Sequence, residues 1–241
     1  MTDTPRSDPA KDAAAQAAVK LVKPGMKLGL GTGSTANVFV HRLAERMQED
    51  PFELRCAATS KATAELAQSL GLRVESLDEL GWLDLTIDGA DEVDPDLNLI
   101  KGGGGAHLRE KIVARASDRM VVIADPGKVV EQLGRFHLPV EVIPFGWRST
   151  EAQIRRGLDD LGLTERPITL RKREDRVFMT DEGNLILDLA LEAIPNAYEL
   201  AAIFADIPGV VEHGLFLNIC HLAIIGREDG TSAELVTEEN L

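Results

Sequence analysis

The chain has 241 residues and a formal net charge of −14, with 44% hydrophobic and 27% charged residues. The acidic excess argues against a nucleic-acid-binding protein, and no apolar run approaches the ~20 residues that span a bilayer, so we expect neither nucleic acid nor a membrane as a partner. Cys56 and Cys220 are the only cysteines and lack metal-ligand spacing, so the sequence predicts no disulfide framework and a reducing, cytoplasmic location.

Strand and helix signals alternate through the first half of the sequence. Ser7 or Asp8 can cap a first helix, which Pro24-Gly25 ends. The following segments are, in order, the strand MKLGLG, the helix STANVFVHRLAERM, the strand ELRCAAT, the helix KATAELAQSLG, the strand LDLTIDGAD, the helix AHLREKIVARA and the strand MVVIAD. This order of short apolar strands with intervening helices predicts an α/β fold whose parallel sheet is covered on both faces.

The pattern changes after residue 133. The segments there are the strand LPVEVIP, the helix TEAQIRRGLDDLG, the strand ITLRK, a hairpin RVFMTDEGNLILDLAL, the helix NAYELAAIFADIPG and the strand VVEHGLF. This order predicts a ferredoxin-like (βαββαβ) α+β domain over residues 134–213, inserted into a main domain of residues 1–133 and 214–241. HLAIIG then returns to the first sheet, and we expect residues 1–7 and the acidic tail VTEENL to be frayed.

The stretch GLGTGST, residues 29–35, joins a strand to a helix. Glycine lets a phosphate reach the N–H groups of a helix N-terminus, and Ser34 and Thr35 add hydroxyl donors. The stretch also satisfies the dinucleotide pattern G-x-G-x-x-A, but that site needs an acid where the next strand ends, and Thr59-Ser60 stand there. We therefore favour a phosphate or phosphosugar over a dinucleotide, with a plain tight turn as the alternative.

Five acids lie in DGADEVDPD, residues 88–96, at the end of a predicted strand. Asp88 and Asp91 fall at the carboxyl edge of the sheet, where open α/β folds bind ligands. A calcium loop is excluded because it needs Gly at its sixth position and Glu at its twelfth, which are Val93 and Leu99 here. The segment therefore predicts a ligand-binding corner without a metal, with a solvated acidic turn as the alternative.

The stretch NLIKGGGGAHLREK, residues 98–111, has four glycines directly after Lys101 and ahead of a helix. Each glycine loses backbone entropy on folding and adds no side chain to the core, so such a run is typical of a backbone that a ligand approaches closely. Glu110 follows in the first turns of the helix, where the helix N-terminus and Lys101 favour its ionised form and predict a carboxylate base. The alternative is that Glu110 is an ordinary first-turn acid, which is common in helices. The preceding glycine run favours the catalytic role, because a plain helix start does not need it.

Three further side chains are weaker candidates. Lys128 follows the strand MVVIAD and is either a cation at the sheet edge or a solvated turn lysine. His107 lies three residues before Glu110 and can meet its face, although a partly exposed helix residue is the commoner case. Lys11, on the first helix, is within reach of a phosphate site, but an ordinary surface role is favoured.

Taken in order, GTGSTA, DGADEVD, IKGGGGAHLREKIVA and LPVEVIP resemble the type A ribose-5-phosphate isomerase family, over nearly the whole chain. The resemblance implies an aldose–ketose isomerase that interconverts D-ribose 5-phosphate and D-ribulose 5-phosphate without metal or organic cofactor. It also implies a Rossmann-like domain with a ferredoxin-like insertion, in a homodimer or homotetramer. By position, Glu110 matches the family's proton acceptor, and His107 is a departure, since we expect a smaller or apolar residue there. The matching substrate contacts are Thr32, Gly33, Ser34, Thr35, Asp88, Gly89, Ala90, Asp91, Lys101, Gly102, Gly103, Gly104 and Lys128.

Proton transfer also fits these residue types directly. One carboxylate can take a proton from C2 and return it to C1 through a cis-enediolate. Lys101 and the loop N–H groups would stabilise the developing oxyanion, while Asp88 and Asp91 would open the sugar ring and pass hydroxyl protons. Two other classes stay open: a non-catalytic phosphosugar sensor, which would need a DNA-binding segment, and a related enzyme such as a coenzyme A transferase or an amino-sugar phosphate deaminase.

Overall fold

The computed structural model describes residues 8–237, and the predictions for residues 1–7 (including Ser7) and for residues 238–241 lie outside that range. Its helices are α1 (Pro9–Val19), α2 (Ser34–Glu49), α3 (Lys61–Ser69), α4 (Leu77–Leu80), α5 (His107–Arg115), α6 (Trp147–Asp160) and α7 (Ala197–Ala205). Its strands are β1 (Lys27–Leu30), β2 (Arg55–Ala58), β3 (Leu85–Gly89), β4 (Glu92–Val93), β5 (Leu99–Ile100), β6 (Met120–Ala124), β7 (Leu138–Val142), β8 (Ile168–Leu170), β9 (Lys172–Arg173), β10 (Arg176–Val177), β11 (Leu185–Leu189), β12 (Val210–His213), β13 (Leu215–Phe216), β14 (Leu222–Gly226) and β15 (Ser232–Leu235).

The largest sheet has six strands in the order β15-β14-β6-β3-β1-β2. All of its neighbouring strands are parallel except β15, which is antiparallel to β14. Side chains alternate across the sheet: Val121 and Ile123 pack beneath α1 and α2, whereas Met120 and Val122 pack on the opposite face. Both faces are therefore buried, as the apolar strands predict.

Asp8 caps α1 by accepting a hydrogen bond from the backbone N–H of Ala10 over 3.0 Å, which confirms one of the two predicted caps.

A second sheet, in the order β12-β7-β11-β8, is antiparallel throughout. Along the chain its elements run β7, α6, β8, β11, α7 and β12. Ile154 of α6 and Phe204 of α7 pack with Val140 and Leu187 of the sheet in a separate hydrophobic core. The strand β14 then returns beside β6 in the first sheet, which confirms the predicted return.

Gly214 is the point where the chain leaves the antiparallel sheet. The strand after it, β13, pairs with β5 in a small sheet of order β13-β5-β4. The backbone N–H of Lys101 donates to the carbonyl of Gly214 over 2.9 Å, and the N–H of Gly214 donates to the carbonyl of Pro139 over 2.8 Å. A Cβ at position 214 would lie 2.3 Å from the carbonyl oxygen of Lys101. The predicted single strand VVEHGLF is therefore two strands in two sheets.

The predicted hairpin over residues 176–191 is wrong in its pairing. A turn does exist at residues 181–183, where the N–H of Thr180 donates to the carbonyl of Asn184 over 2.9 Å. However, β10 pairs with β9, across a turn at residues 174–175, and β11 pairs with β7 and β8. The predicted strand ITLRK is thus divided between β8 and β9.

Within residues 8–237, no helix is long and apolar enough to cross a membrane.

Candidate active site

An open cleft lies at the carboxyl edge of the parallel sheet. The loops after β1, β3 and β6 meet there with the glycine loop, which we define as residues 101–105 after β5. The cleft encloses about 410 Å³, including its mouth. Its lining consists of Thr32, Gly33, Ser34, Thr35, Gly89, Ala90, Asp91, Lys101, Gly102, Gly103, Gly104, Glu110 and Lys128. Glu110 and the substrate contacts that the family resemblance implies all lie in this lining, except Asp88, which is fully buried beside Lys101.

One buried ammonium group holds two buried carboxylates at the floor of this cleft. Lys101 Nζ lies 3.0 Å from Asp88 Oδ2 and 3.2 Å from Glu110 Oε1, and it also donates to the carbonyl of Gly89. The ammonium group thus donates hydrogen bonds to Gly89 and Glu110 and forms an ion pair with Asp88. Lys101 therefore organises the two acids, and its predicted direct contact with a substrate oxygen stays a prediction.

The cluster carries a net charge of −1 when Asp88, Lys101 and Glu110 are all ionised. Burial raises the pKa of Glu110 to about 8, against the opposing effect of Lys101, and the nearby Asp88 carboxylate adds to the rise. Burial also disfavours the ammonium form of Lys101, but the two carboxylates outweigh it and raise its pKa. Lys101 favours the ionised form of Glu110, as expected from the sequence, but burial has the larger effect and raises the pKa of Glu110 above its ordinary value.

Asp88 is better supported as an anion than Glu110. Its Oδ1 accepts hydrogen bonds from the N–H groups of Thr32 over 3.0 Å and Gly89 over 2.7 Å, although burial still raises its pKa. Gly31 makes this contact possible, because a Cβ there would lie 2.1 Å from Asp88 Oδ1. Each acid has one buried oxygen without a hydrogen-bond partner within residues 8–237; of these, Asp88 Oδ2 lies 3.0 Å from Lys101 Nζ, whereas Glu110 Oε2 makes no ion pair. The two backbone N–H groups thus favour the ionised form of Asp88, and Glu110 is the acid of this pair that lines the cleft.

The glycine loop is fixed by side chains from several elements. The N–H of Gly103 donates to Asp91 Oδ2 over 2.7 Å. Gly102 has φ of +100°, and a Cβ there would lie 2.8 Å from the imidazole of His107, so this position requires glycine. At Gly104 a Cβ would meet only Thr32 Cγ2 at 3.7 Å. The four consecutive glycines thus have different structural requirements.

The N-terminus of α2 forms one corner of the cleft. Its N-cap is Gly33, which has no side chain to cap the first N–H groups. Lys11 of α1 donates from Nζ to Ser34 Oγ over 3.1 Å, which places a cation at this corner, although the sequence favoured a surface role for it. The hydroxyl of Thr32 has hydroxyl neighbours 2.7–3.0 Å away, on Thr59, Ser60 and Thr63.

The weaker candidates lie in different surroundings. Lys128 lines the cleft, with its Nζ 5.8 Å from the ring centroid of Phe136. His107 is fully buried rather than partly exposed, and its Nε2 lies 3.6 Å from Glu141 Oε2, outside the cleft lining. Burial, together with the nearby cations of Lys111 and Arg171, lowers the pKa of His107 to about 3, so the imidazole is neutral.

Arg171 is a site neighbour that the sequence did not indicate. Its Nη1 donates to the carbonyl of Gly102 over 2.8 Å and to that of Gly103 over 3.2 Å. It stands between β8 and β9, about seventy positions from the glycine loop, in a segment without a recognisable motif. Only the docking of the antiparallel sheet brings it to the loop.

Within residues 8–237, no group of three or more His, Cys, Asp or Glu side chains is arranged to hold a metal ion.

Fold and site together define an α/β enzyme with a buried, ion-paired acid at the carboxyl edge of a parallel sheet. The family model for ribose 5-phosphate isomerase A (phosphoriboisomerase A) matches residues 55–230. A curated relative, ribose-5-phosphate isomerase A of Ruegeria pomeroyi, is 55% identical over 223 residues, covering 92% of this chain and 85% of its own length. The chain therefore belongs to the ribose 5-phosphate isomerase A family.

Two solved structures show the same similarity in three dimensions. Ribose 5-phosphate isomerase from Plasmodium falciparum is 34% identical with a TM-score of 0.90, covering 96% of this chain and 100% of that one. A D-ribose-5-phosphate isomerase in complex with phospho-erythronic acid is 32% identical with a TM-score of 0.86, covering 94% and 97%. The similarity therefore extends over both sheets.

Proposed function

We propose that this protein interconverts D-ribose 5-phosphate and D-ribulose 5-phosphate by proton transfer through an enediolate, with Glu110 as the base. The observation that carries the proposal is the carboxylate of Glu110: the residue lines the cleft, and its buried Oε2 has no hydrogen-bond partner within residues 8–237. A pKa of about 8 suits a group that must accept a proton from C2 and release it to C1 near neutral pH. The names of the relatives support the same substrate pair.

The phosphate group of the substrate is assigned to the corner at the N-terminus of α2. Uncapped N–H groups at a helix N-terminus attract anions, and Ser34, Thr35 and the ammonium of Lys11 lie beside them. Lys128 adds a second cation to the cleft lining. A relative that binds phospho-erythronic acid, a phosphorylated sugar acid, supports a phosphosugar ligand.

The remaining cleft residues act on the oxygens of the sugar. Asp91, in the cleft lining, opens the ring and passes protons between hydroxyls, and the buried Asp88 takes part through Lys101, with which it forms an ion pair. The N–H groups of the glycine loop stabilise the negative oxygen of the enediolate, where one such donor is worth on the order of 3 kcal/mol. Only interactions that strengthen as this charge develops accelerate the reaction.

The wider assignment follows from the same family. We propose an enzyme of the non-oxidative branch of the pentose phosphate pathway that uses neither metal nor organic cofactor and works as a cytoplasmic homodimer or homotetramer. Its Rossmann-like domain comprises residues 1–133 and 214–241. Residues 134–213 form the ferredoxin-like domain, an assignment supported by the order of elements in the antiparallel sheet.

Incubation with ribose 5-phosphate in deuterium oxide tests the reaction and its mechanism together. Ketopentose should form with solvent deuterium at C1, and repeated equilibration should also label C2 of the aldose, as followed by NMR. Glu110→Gln protein at equal concentration is the control and should form product and label about 10²–10⁴-fold more slowly. Ketose that stays unlabelled after many turnovers would indicate a hydride shift, and absence of any ketose would reject the substrate assignment.

A further inference from the structure

The glycine loop has one hydrogen bond of its own, from the N–H of Gly105 to the carbonyl of Gly102 over 3.0 Å. Glycine populates positive and negative φ about equally, so a peptide group between two glycines can rotate at little cost. Gly102 to Gly104 contain two such peptide groups, and both line the cleft. If either rotated, a carbonyl oxygen would replace an N–H at the place where negative charge develops. Gly105 and Asp91 hold the Gly102–Gly103 peptide group, whereas the Gly103–Gly104 peptide group has no hydrogen bond within the loop and needs a contact from outside it.

Arg171 contacts both of these peptide groups on the side away from the cleft. Its Nη1 donates to the carbonyls of Gly102 and Gly103. A peptide group is planar and trans, so the N–H after each carbonyl points the opposite way. The N–H of Gly103 does so and donates to Asp91 Oδ2 on the cleft wall. By the same geometry the N–H of Gly104 faces the cleft, and within residues 8–237 it donates to no acceptor of the protein.

The guanidinium is itself held in place by the antiparallel sheet. Arg171 Nε donates to Asp188 Oδ2 over 2.8 Å and its Nη2 donates to Asp188 Oδ1, which is a two-pronged ion pair. Both side chains are largely buried, at 13% and 16% exposure. Phe178 lies beside them, with its ring centroid 6.0 Å from the guanidinium carbon, and it also contacts Gly105. An arginine fork can satisfy a carboxylate and still present a donor to the loop, which a lysine cannot do.

We propose that Arg171 is a positioning residue for the reaction: anchored by Asp188, it helps to hold the carbonyl of Gly102 and fixes that of Gly103, so that the N–H of Gly104 faces the substrate oxygen. The inference rests on the proposed isomerase function. No residue of the antiparallel domain, residues 134–213, lines the cleft. Through Arg171 this domain would nevertheless affect the reaction rate, because it positions the glycine loop.

Kinetics of Arg171→Met, Arg171→Lys and Arg176→Met test the proposal, with circular dichroism to measure the folded fraction of each. Arg176 is an exposed arginine on β10 and serves as the matched control. We expect Arg171→Met to lower kcat about 10–100-fold with a smaller change in KM, because the lost contribution grows with the charge on the oxyanion. Arg171→Lys should recover only part of the rate, and Arg176→Met should match the parent protein.

Hydrogen exchange of the peptide that contains residues 98–108 provides a readout independent of activity. Arg171→Met should speed exchange of the loop amides, while Arg176→Met should not. Asp188→Asn should act in the same direction, and the double variant Arg171→Met/Asp188→Asn should be no worse than Arg171→Met, since both belong to one contact. A kcat for Arg171→Met within twofold of the parent, unchanged loop exchange, or a rate loss that only follows the loss of folded protein would overturn the inference. An inactive parent protein would instead reject the proposed function.

Discussion

The raised pKa of Glu110 makes the pH dependence of turnover the most decisive property to measure. Glu110 must be ionised to accept a proton, so the rate should rise with pH as the carboxyl group loses its proton. Lys101 stays an ammonium across this range, because its pKa is raised rather than lowered. Neutral His107, whose pKa is lowered to about 3, adds no titration of its own there.

The size of the effect follows from the pKa of about 8. About one Glu110 in 100 is ionised at pH 6 and about half at pH 8, so kcat/KM should rise about 50-fold between these values. A glutamate with an ordinary pKa of about 4.3 would already be about 98% ionised at pH 6, and the profile would be nearly flat. The phosphate group of the substrate loses its second proton near pH 6, so its titration lies about two units lower.

The assay is the initial rate of ketopentose formation in buffers of constant ionic strength from pH 5.5 to 9.5. Because kcat/KM reports ionisations of the free enzyme and free substrate, substrate is kept well below KM. The control is Arg176→Met, which leaves the cleft unchanged and should give the same profile. A profile that is level from pH 6.5 upward would refute the reasoning that burial outweighs Lys101 at Glu110.

Four other outcomes are expected. Glu110→Gln should lower kcat by about 10²–10⁴ with KM changed only a few-fold, and near-normal turnover would remove Glu110 from its role. Lys101→Met leaves the carboxylates of Asp88 and Glu110 buried and unpaired, so urea unfolding at pH 8 should show a loss of about 3–5 kcal/mol; a loss below about 1 kcal/mol would contradict the ion-paired cluster. Gly102→Ala should lower the melting temperature more than Gly104→Ala, because only Gly102 has a positive φ and a close neighbour; equal shifts would contradict that geometry. EDTA should leave the isomerase rate unchanged, since a carboxylate base needs no metal for proton transfer, and loss on chelation with rescue by a divalent ion would point to a hydride shift.

Most residues that line the cleft could be predicted from the sequence, because they lie in loops that follow the ends of strands. Loops after parallel strands converge on one edge, so the segments around Thr32, Asp91 and Lys128 meet without any knowledge of side-chain packing. The protonation of Glu110 was not predictable in the same way. It depends on the burial of Asp88 and Lys101 around it, and that burial is produced by packing across distant segments.

The elements that were not predicted lack a local signal. The turn at residues 174–175 has positive φ at both positions without a glycine to mark it, so the pairing of β9 with β10 could not be read from the pattern. The edge strand β15 is half exposed, and β4 and β5 have two residues each. Arg171 reaches the glycine loop only through the tertiary contact of the antiparallel sheet, and sequence separation hides such contacts.

Gly214 sets a limit on how the cleft can admit and release its ligand. One backbone position joins the strand that leads into Lys101 to β7 of the antiparallel sheet, through a hydrogen bond on each side. A hinge movement that swung one sheet from the other would break these hydrogen bonds at the backbone of the residue that pairs with both acids. Exchange through the open mouth avoids that disruption, so the proton-transfer machinery can stay assembled between one turnover and the next.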